Sequence, residues 1–406
     1  LSLPESFWGN FVDDLRFSTA GVSFQEHLTS PSAQPQQAAA VSPAVSPGPS
    51  VKAEPYKWIL HPVIDILFVC GGFFWFLVAV LYASGLKVDL YGSPTAFCLA
   101  ATSIIGIQLM GDAHQPATLF RVYGSKTTRD TLGKPVALIG LVALAVGLCT
   151  FFVASTTTFF LKIILAWGIQ HQLAQSYGIA LVYCYKRKYY LNKVEKKIMF
   201  SMVQATIVFM VLRMFALKDF AAFKLNGYNV PFWQIVPEWL VTVSGVALAV
   251  SVLLFGGMVA GKYIKEKVMF PVPAFCTLMT LIALALCASN TFLVVWYLFS
   301  TWWFHSSQYL VITSAFYLKE RGLPENVPFS QIARLLFTAT FAKYYALLFS
   351  TGFLFFFLMP NWMADHGAEK AVAIAAVYVA ANLHHYITDA LIWKLRDPAI
   401  QKLLIA

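Results

Sequence analysis

From Ile59 onward the chain alternates between long apolar blocks and short polar connections. The blocks fall near 59–83, 94–113, 135–155, 157–185, 198–217, 237–260, 271–288, 290–318, 332–358 and 370–393. Each is close to the roughly 20 residues a bilayer requires, so the pattern predicts an all-α, polytopic membrane bundle of about ten transmembrane helices. "ASTTT" after the third block and "CASN" after the seventh predict tight turns. The fifth connection, "LKDFAAFKLNGYNVPFWQIVPEW", mixes Phe and Trp with polar residues and is expected along the outer interface. Residues 1–56 read differently. "PSAQPQQAAAVSPAVSPGPSVKAEP" at 31–55 has too few large apolar side chains to fold alone, which predicts a disordered Pro/Ala/Ser-rich tail ahead of a transmembrane domain at 57–406. The aromatic stretch "LPESFWGNFVDDLRF" at 3–17 is the part of that tail suited to docking on a membrane-protein partner.

Charge orders the blocks. The connections after the second, fourth, sixth and eighth blocks carry the basic residues: Arg121 to Lys134, Lys186 to Lys197, Lys262 to Lys267, then Lys319 and Arg321. The C-terminus adds Lys394, Arg396 and Lys402, whereas the alternate connections hold only Lys87, Lys218, Lys224 and Lys370. By the positive-inside rule both termini are expected in the cytoplasm. The net charge of +10 is thereby explained as topology and gives no reason to invoke nucleic acid. With 59% hydrophobic and 12% charged residues, a soluble globular class is excluded. Lipids and a lipophilic small molecule are the expected partners, and the abundant aromatics suit both. The six cysteines lie in apolar blocks without a C-x-x-C pair, so small buried thiols are expected rather than disulfides or a zinc knuckle. The first apolar block begins too late for a cleavable signal peptide, and a first residue other than Met suggests a trimmed N-terminus.

Histidine is the candidate chemistry. Of eight, His27 lies in the tail and His366 beside Asp365 in an outer loop, both expected as ordinary surface residues. The other six, His61, His114, His171, His305, His384 and His385, sit in or at the ends of apolar blocks. All six fall between the midplane and the cytoplasmic face, none more than about fourteen residues from a basic exit. Taken singly, each would be satisfied by an interhelical hydrogen bond. Taken together, imidazoles from five helices at one depth point to an intramembrane metal site, because imidazole is the commonest transition-metal ligand and ionisable groups in spans face a bundle interior. Supporting carboxylates stand nearby. Asp65 follows His61 by four residues, Asp389 follows His385 by four, and Asp112 precedes His114 by two where the helix is expected to break.

The fourth and eighth blocks resemble each other. "WGIQHQLAQSYGIALVYCYK" and "TWWFHSSQYLVITSAFYLK" both place Trp before His, Gln after it, Tyr twelve residues on (Tyr183, Tyr317) and then a basic exit. Gln175, Gln308 and Tyr309 are therefore expected around the same cavity. Lys162 and Arg213 can snorkel, whereas Lys343 is deep enough to line the cavity. Phosphate loops, G-x-G-x-x-G, serine elbows, C-x-x-C-H and the H-x-x-x-H and H-x-x-H-H clusters of diiron desaturases are missing.

"LHPVID", "FHSSQY" and "HHYITD" are similar to the short histidine motifs of the Brp/Blh family of membrane carotene dioxygenases. That resemblance implies a helical membrane bundle holding one non-haem iron on His61, His171, His305 and His385, with Asp65 and Asp389 as supports, and a reaction that cleaves a carotenoid to retinal with dioxygen. The sequence departs from the family where His61 precedes its proline and where Tyr309 replaces a histidine. Imidazole ligation alone leaves the metal open between Fe, Zn, Cu and Ni. Two other classes stand beside the oxygenase reading: a haem- or chlorophyll-binding redox, antenna or complex subunit, and a transporter with a His/Asp relay.

Overall fold

The computed structural model describes residues 57–83, 101–216, 224–225, 228–229, 235–287, 296–323, 327–394, 401 and 403–405. The tail at 1–56, most of the fifth connection and residues 288–290 of "CASN" lie outside them. The described chain is helical apart from one two-residue antiparallel ladder, Lys224–Leu225 with Tyr228–Asn229. The principal helices are α1 Gly72–Ala83, α2 Asp112–Tyr123, α3 Lys126–Phe152, α4 Ala154–Lys186, α5 Lys193–Ala216 and α6 Glu238–Glu266. They continue as α7 Val272–Cys287, α8 Ser307–Lys319, α9 Phe329–Leu336, α10 Ala339–Phe353, α11 Met359–Asp365 and α12 Lys370–Ile392.

Among the described residues, five helical stretches are long and apolar enough to cross a membrane: Thr128–Phe152, Lys193–Ala216, Glu238–Glu266, Ala339–Asp365 and Lys370–Ile392. A sixth arises if Pro62–Val69 and Gly72–Ala83, bent by 53°, form one broken span. Large apolar side chains such as Leu141, Leu144, Phe152, Leu253 and Leu254 are exposed along α3 and α6, the surface expected of a protein in lipid. This is an integral membrane protein. α12 is its central rod, with 44% of its apolar window buried against 17% for α6.

The break expected at "ASTTT" falls just before it, at Val153, and "ASTTT" itself opens α4. α3 ends at Phe152, α4 begins at Ala154, and the bend is tied by Thr156 Oγ1 to Cys149 O at 2.9 Å and Thr157 Oγ1 to Thr150 O at 2.8 Å. α5 opens with a capping box. Asn192 Oδ1 accepts from Val194 N and Glu195 N, and the Glu195 carboxylate accepts from Asn192 N at 2.8 Å. Lys262 near the end of α6 pairs with Glu195 at 3.2 Å, which brings two basic connections to one end of the bundle.

Several local expectations are corrected. The first block is interrupted: a short helix Pro62–Ile64 and a π-helical Asp65–Val69 precede a turn at Cys70 and Gly71. Gly71 has φ +85°, a conformation only glycine adopts cheaply. The second block does not break at Asp112. A π-helical Ile107–Gly111 passes into α2, which runs on to Tyr123. Cys149 is exposed rather than buried, and Cys276 is only partly covered, because both sit on outward faces. Lys343 is exposed on α10 and does not line the interior.

Candidate metal centre

Four helical segments each deliver one imidazole to a common point. His114 comes from the first turn of α2, and His171 from the middle of α4. His305 ends the π-helical stretch Trp296–Ser306, and His385 lies on the buried face of α12. Their ring centroids form a closed circuit: His114 to His305 5.3 Å, His305 to His171 5.1 Å, His171 to His385 4.8 Å and His385 to His114 4.8 Å. Neighbouring planes stand 73–90° apart, so the rings meet edge to face rather than stacking. Three of the four are buried and His171 is partly so.

Two overlapping sets of donors could hold an ion, His114 with His305 and His385, and His171 with His385 and Asp389. In each set the donor atoms lie within 4.8 Å of one another. In the second, His171 Nε2 and His385 Nε2 are 3.2 Å apart, and Asp389 Oδ2 is 3.7 Å from each.

Each ring is aimed from behind. His114 Nδ1 lies 2.5 Å from the Gly111 carbonyl and 3.2 Å from Ser306 Oγ, which leaves Nε2 facing the cluster. His385 Nδ1 lies 2.7 Å from Thr118 Oγ1. That hydroxyl also donates to Asp389 Oδ1 at 3.0 Å and meets the Tyr309 hydroxyl at 2.7 Å. Tyr309 itself donates to Asp389 Oδ1 at 2.7 Å and accepts from Trp393 Nε1 at 3.3 Å. With the single Thr118 proton drawn to the carboxylate, the consistent tautomer puts hydrogen on His385 Nδ1 and a lone pair on Nε2. His171 is braced by the Tyr386 ring, stacked at 4.5 Å. His305 is held through its backbone: Gln175 Nε2 donates to His305 O at 3.1 Å and to Gln308 Oε1 at 3.0 Å, and Gln308 donates to Val69 O at 2.7 Å.

Of the twelve residues the sequence nominated, the structure gathers eight: His114, His171, His305, His385, Gln175, Gln308, Tyr309 and Asp389. The other four are elsewhere. His61 caps the helix Pro62–Ile64, its Nδ1 accepting from Val63 N at 3.2 Å, and its ring lies against Phe329. Asp65 accepts from the backbone of Ile59, Leu60 and His61 and from Tyr183, so it is a buried clasp on the start of the first helix and no imidazole support. His384 points from a different face of α12 toward Gly140 on α3. Asp112 turns toward Gly352 of α10. Thr118 and Trp393 escaped the sequence reading. Thr118 stands one turn beyond His114 and Trp393 one turn beyond Asp389, and that spacing was the available signal.

The donors fit a metal ion. Four imidazoles and a carboxylate form two overlapping donor sets, and His305 Nδ1 is buried without a hydrogen-bond partner. Orphaned buried donors or acceptors are rare in native proteins unless an ion or water meets them. A hydrogen bond between His171 and His385 alone would account for one contact and leave this atom unmet. No protein-family model, curated protein or solved structure matches the chain.

Proposed function

We propose that this protein is an integral membrane metalloenzyme, a non-haem iron oxygenase-like enzyme acting on a lipophilic substrate. One observation carries the reading: imidazoles from four separate helical segments close a circuit of rings about 5 Å apart inside a bundle whose outer surface is apolar. Neutral imidazoles favour a first-row transition ion over Mg²⁺ or Ca²⁺. Iron is preferred because the two histidine motifs that reach the site, "FHSSQY" and "HHYITD", resemble those of the carotene dioxygenases. An iron centre would supply dioxygen activation. A carotenoid is the substrate this resemblance suggests: cleavage of one C=C bond places one oxygen atom on each fragment as a carbonyl, so no external reductant is required. In this reading His114, His171, His305 and His385 hold the ion, Thr118 sets the His385 tautomer, and Gln175 with Gln308 fixes the His305 backbone. The four crowded rings weigh against a haem, whose flat macrocycle would have to separate two of them.

The finer topology belongs to the same proposal: ten spans with both termini in the cytoplasm. The charge bias of the connections supports it, as does the Lys262–Glu195 pair joining two basic connections at one end.

The test uses detergent-purified, Fe(II)-loaded protein supplied with β-carotene under air. Oxygen uptake with a carbonyl product is expected, and His305→Ala should lose bound iron and turnover together. Turnover that persists in the metal-free variant, or no uptake with any carotenoid by iron-replete protein, contradicts the oxygenase reading.

A further inference from the structure

We infer that Asp389 is itself a metal ligand through Oδ2, so that the centre is a mixed imidazole–carboxylate site and not an all-histidine one. This rests on reading the cluster as a metal centre and adds to it the charge and identity of one donor.

The argument starts from which side of each ring the carboxylate occupies. A carboxylate that merely supports a metal-bound histidine accepts from the ring nitrogen facing away from the ion. On His385 that nitrogen is Nδ1, and Thr118 already serves it at 2.7 Å. Asp389 Oδ2 lies instead on the Nε2 side, 3.7 Å from His385 Nε2 and 3.7 Å from His171 Nε2. These separations are too long for hydrogen bonds. They suit three donors around one ion. With the two nitrogens 3.2 Å apart, the point equidistant from all three atoms is about 2 Å from each, the bond length of a first-row divalent ion to imidazole or carboxylate.

The rest of the carboxyl group is arranged to the same end. Tyr309 and Thr118 both donate to Oδ1, at 2.7 Å and 3.0 Å. Fixing one oxygen with two hydroxyls orients the other. Asp389 and His385 are four residues apart on α12, so both donors project from one helix face and move together. Imidazole nitrogens combined with a carboxylate oxygen suit a first-row ion such as Fe(II). His114 and His305 close the opposite side of the circuit. A carboxylate donor also cancels one of the two charges of a divalent ion, which lowers the cost of keeping it in the bilayer interior.

The test is a Co(II) titration of metal-depleted, detergent-purified protein, read by the cobalt d–d bands. Wild type should bind one Co(II). Asp389→Asn should shift the bands and weaken binding by about 100-fold or more, beyond the 10–100-fold typical of an outer partner. Thr118→Val, which loosens the grip on Oδ1 and leaves Oδ2, should weaken binding while keeping the band positions. Unshifted bands in Asp389→Asn overturn the inference and leave the metal centre standing. Wild type that takes up no Co(II) overturns both. If Asp389→Asn does not fold, the infrared difference spectrum of wild type on Co(II) addition decides: a shifted carboxylate stretch is expected, and no carboxylate change overturns the inference.

Discussion

Thr118 concentrates the residue-scale logic of the site. One hydroxyl touches His385, Tyr309 and Asp389, and so couples α2, α8 and α12. Thr118→Val keeps the shape and removes the hydrogen bonds, so metal affinity should fall roughly 10–100-fold with the fold intact, measured by chelator competition. Asp65 carries a separate load. Its carboxylate meets three backbone N–H groups and the Tyr183 hydroxyl. Asp65→Ala leaves those donors buried without an acceptor, at about 1–3 kcal/mol each at most, and should lower the melting temperature in detergent without changing metal content. The histidines were legible in the sequence because ionisable groups are rare in apolar blocks. Which face each one takes was not. His61 and His385 both precede an aspartate by four residues, yet one pair builds a helix start and the other the site, because only the packing of α12 against α2 and α4 turns His385 inward. Thr118 was hidden by being an ordinary residue type.

At the scale of elements, π-helical segments lie beside the site. Ile107–Gly111 leads into α2 just before His114, and Trp296–Ser306 contains His305. A π-turn changes the angular position of everything after it, so a strict 3.6-residue periodicity does not give the faces these side chains take. Asp112 faces α10 because α2 runs on unbroken, and residues two apart on a helix point to different sides. Pro116 has no N–H for the Asp112 carbonyl, and that oxygen packs against Gly352, where an added Cβ would collide with it. Gly352→Ala must push α10 from α2, with an expected cost of about 1–3 kcal/mol seen as a lower unfolding temperature. Gln308 bridges elements in the other direction, from the break at Val69 to Gln175 behind His305. Gln308→Ala should loosen both the broken span and the His305 backbone, so that stability and metal affinity drop together. The tight turn at 152–154 was readable from its Thr residues, whose hydroxyls can serve carbonyls a helix end leaves bare.

At the scale of the molecule, apolar blocks and polar connections were enough to identify a membrane bundle, since a long apolar helix satisfies its own backbone and so can occupy a bilayer. The number of crossings was less legible. α4 is 33 residues long but carries Gln, His and Ser toward the interior, so its hydropathy is diluted by the very residues that build the site. The proposed topology predicts that single cysteines replacing Lys193 and Lys265, in a cysteine-free background, react with an impermeant thiol reagent only from the cytoplasmic side; labelling from opposite sides contradicts it. The most direct test of the proposed site is elemental analysis of detergent-purified protein together with its absorption spectrum. One first-row transition ion per chain is predicted, without a Soret band, and lost when His171 and His385 are both replaced by Ala. A folded wild-type protein that holds no such ion after reconstitution, or a double variant that retains it in full, contradicts the account.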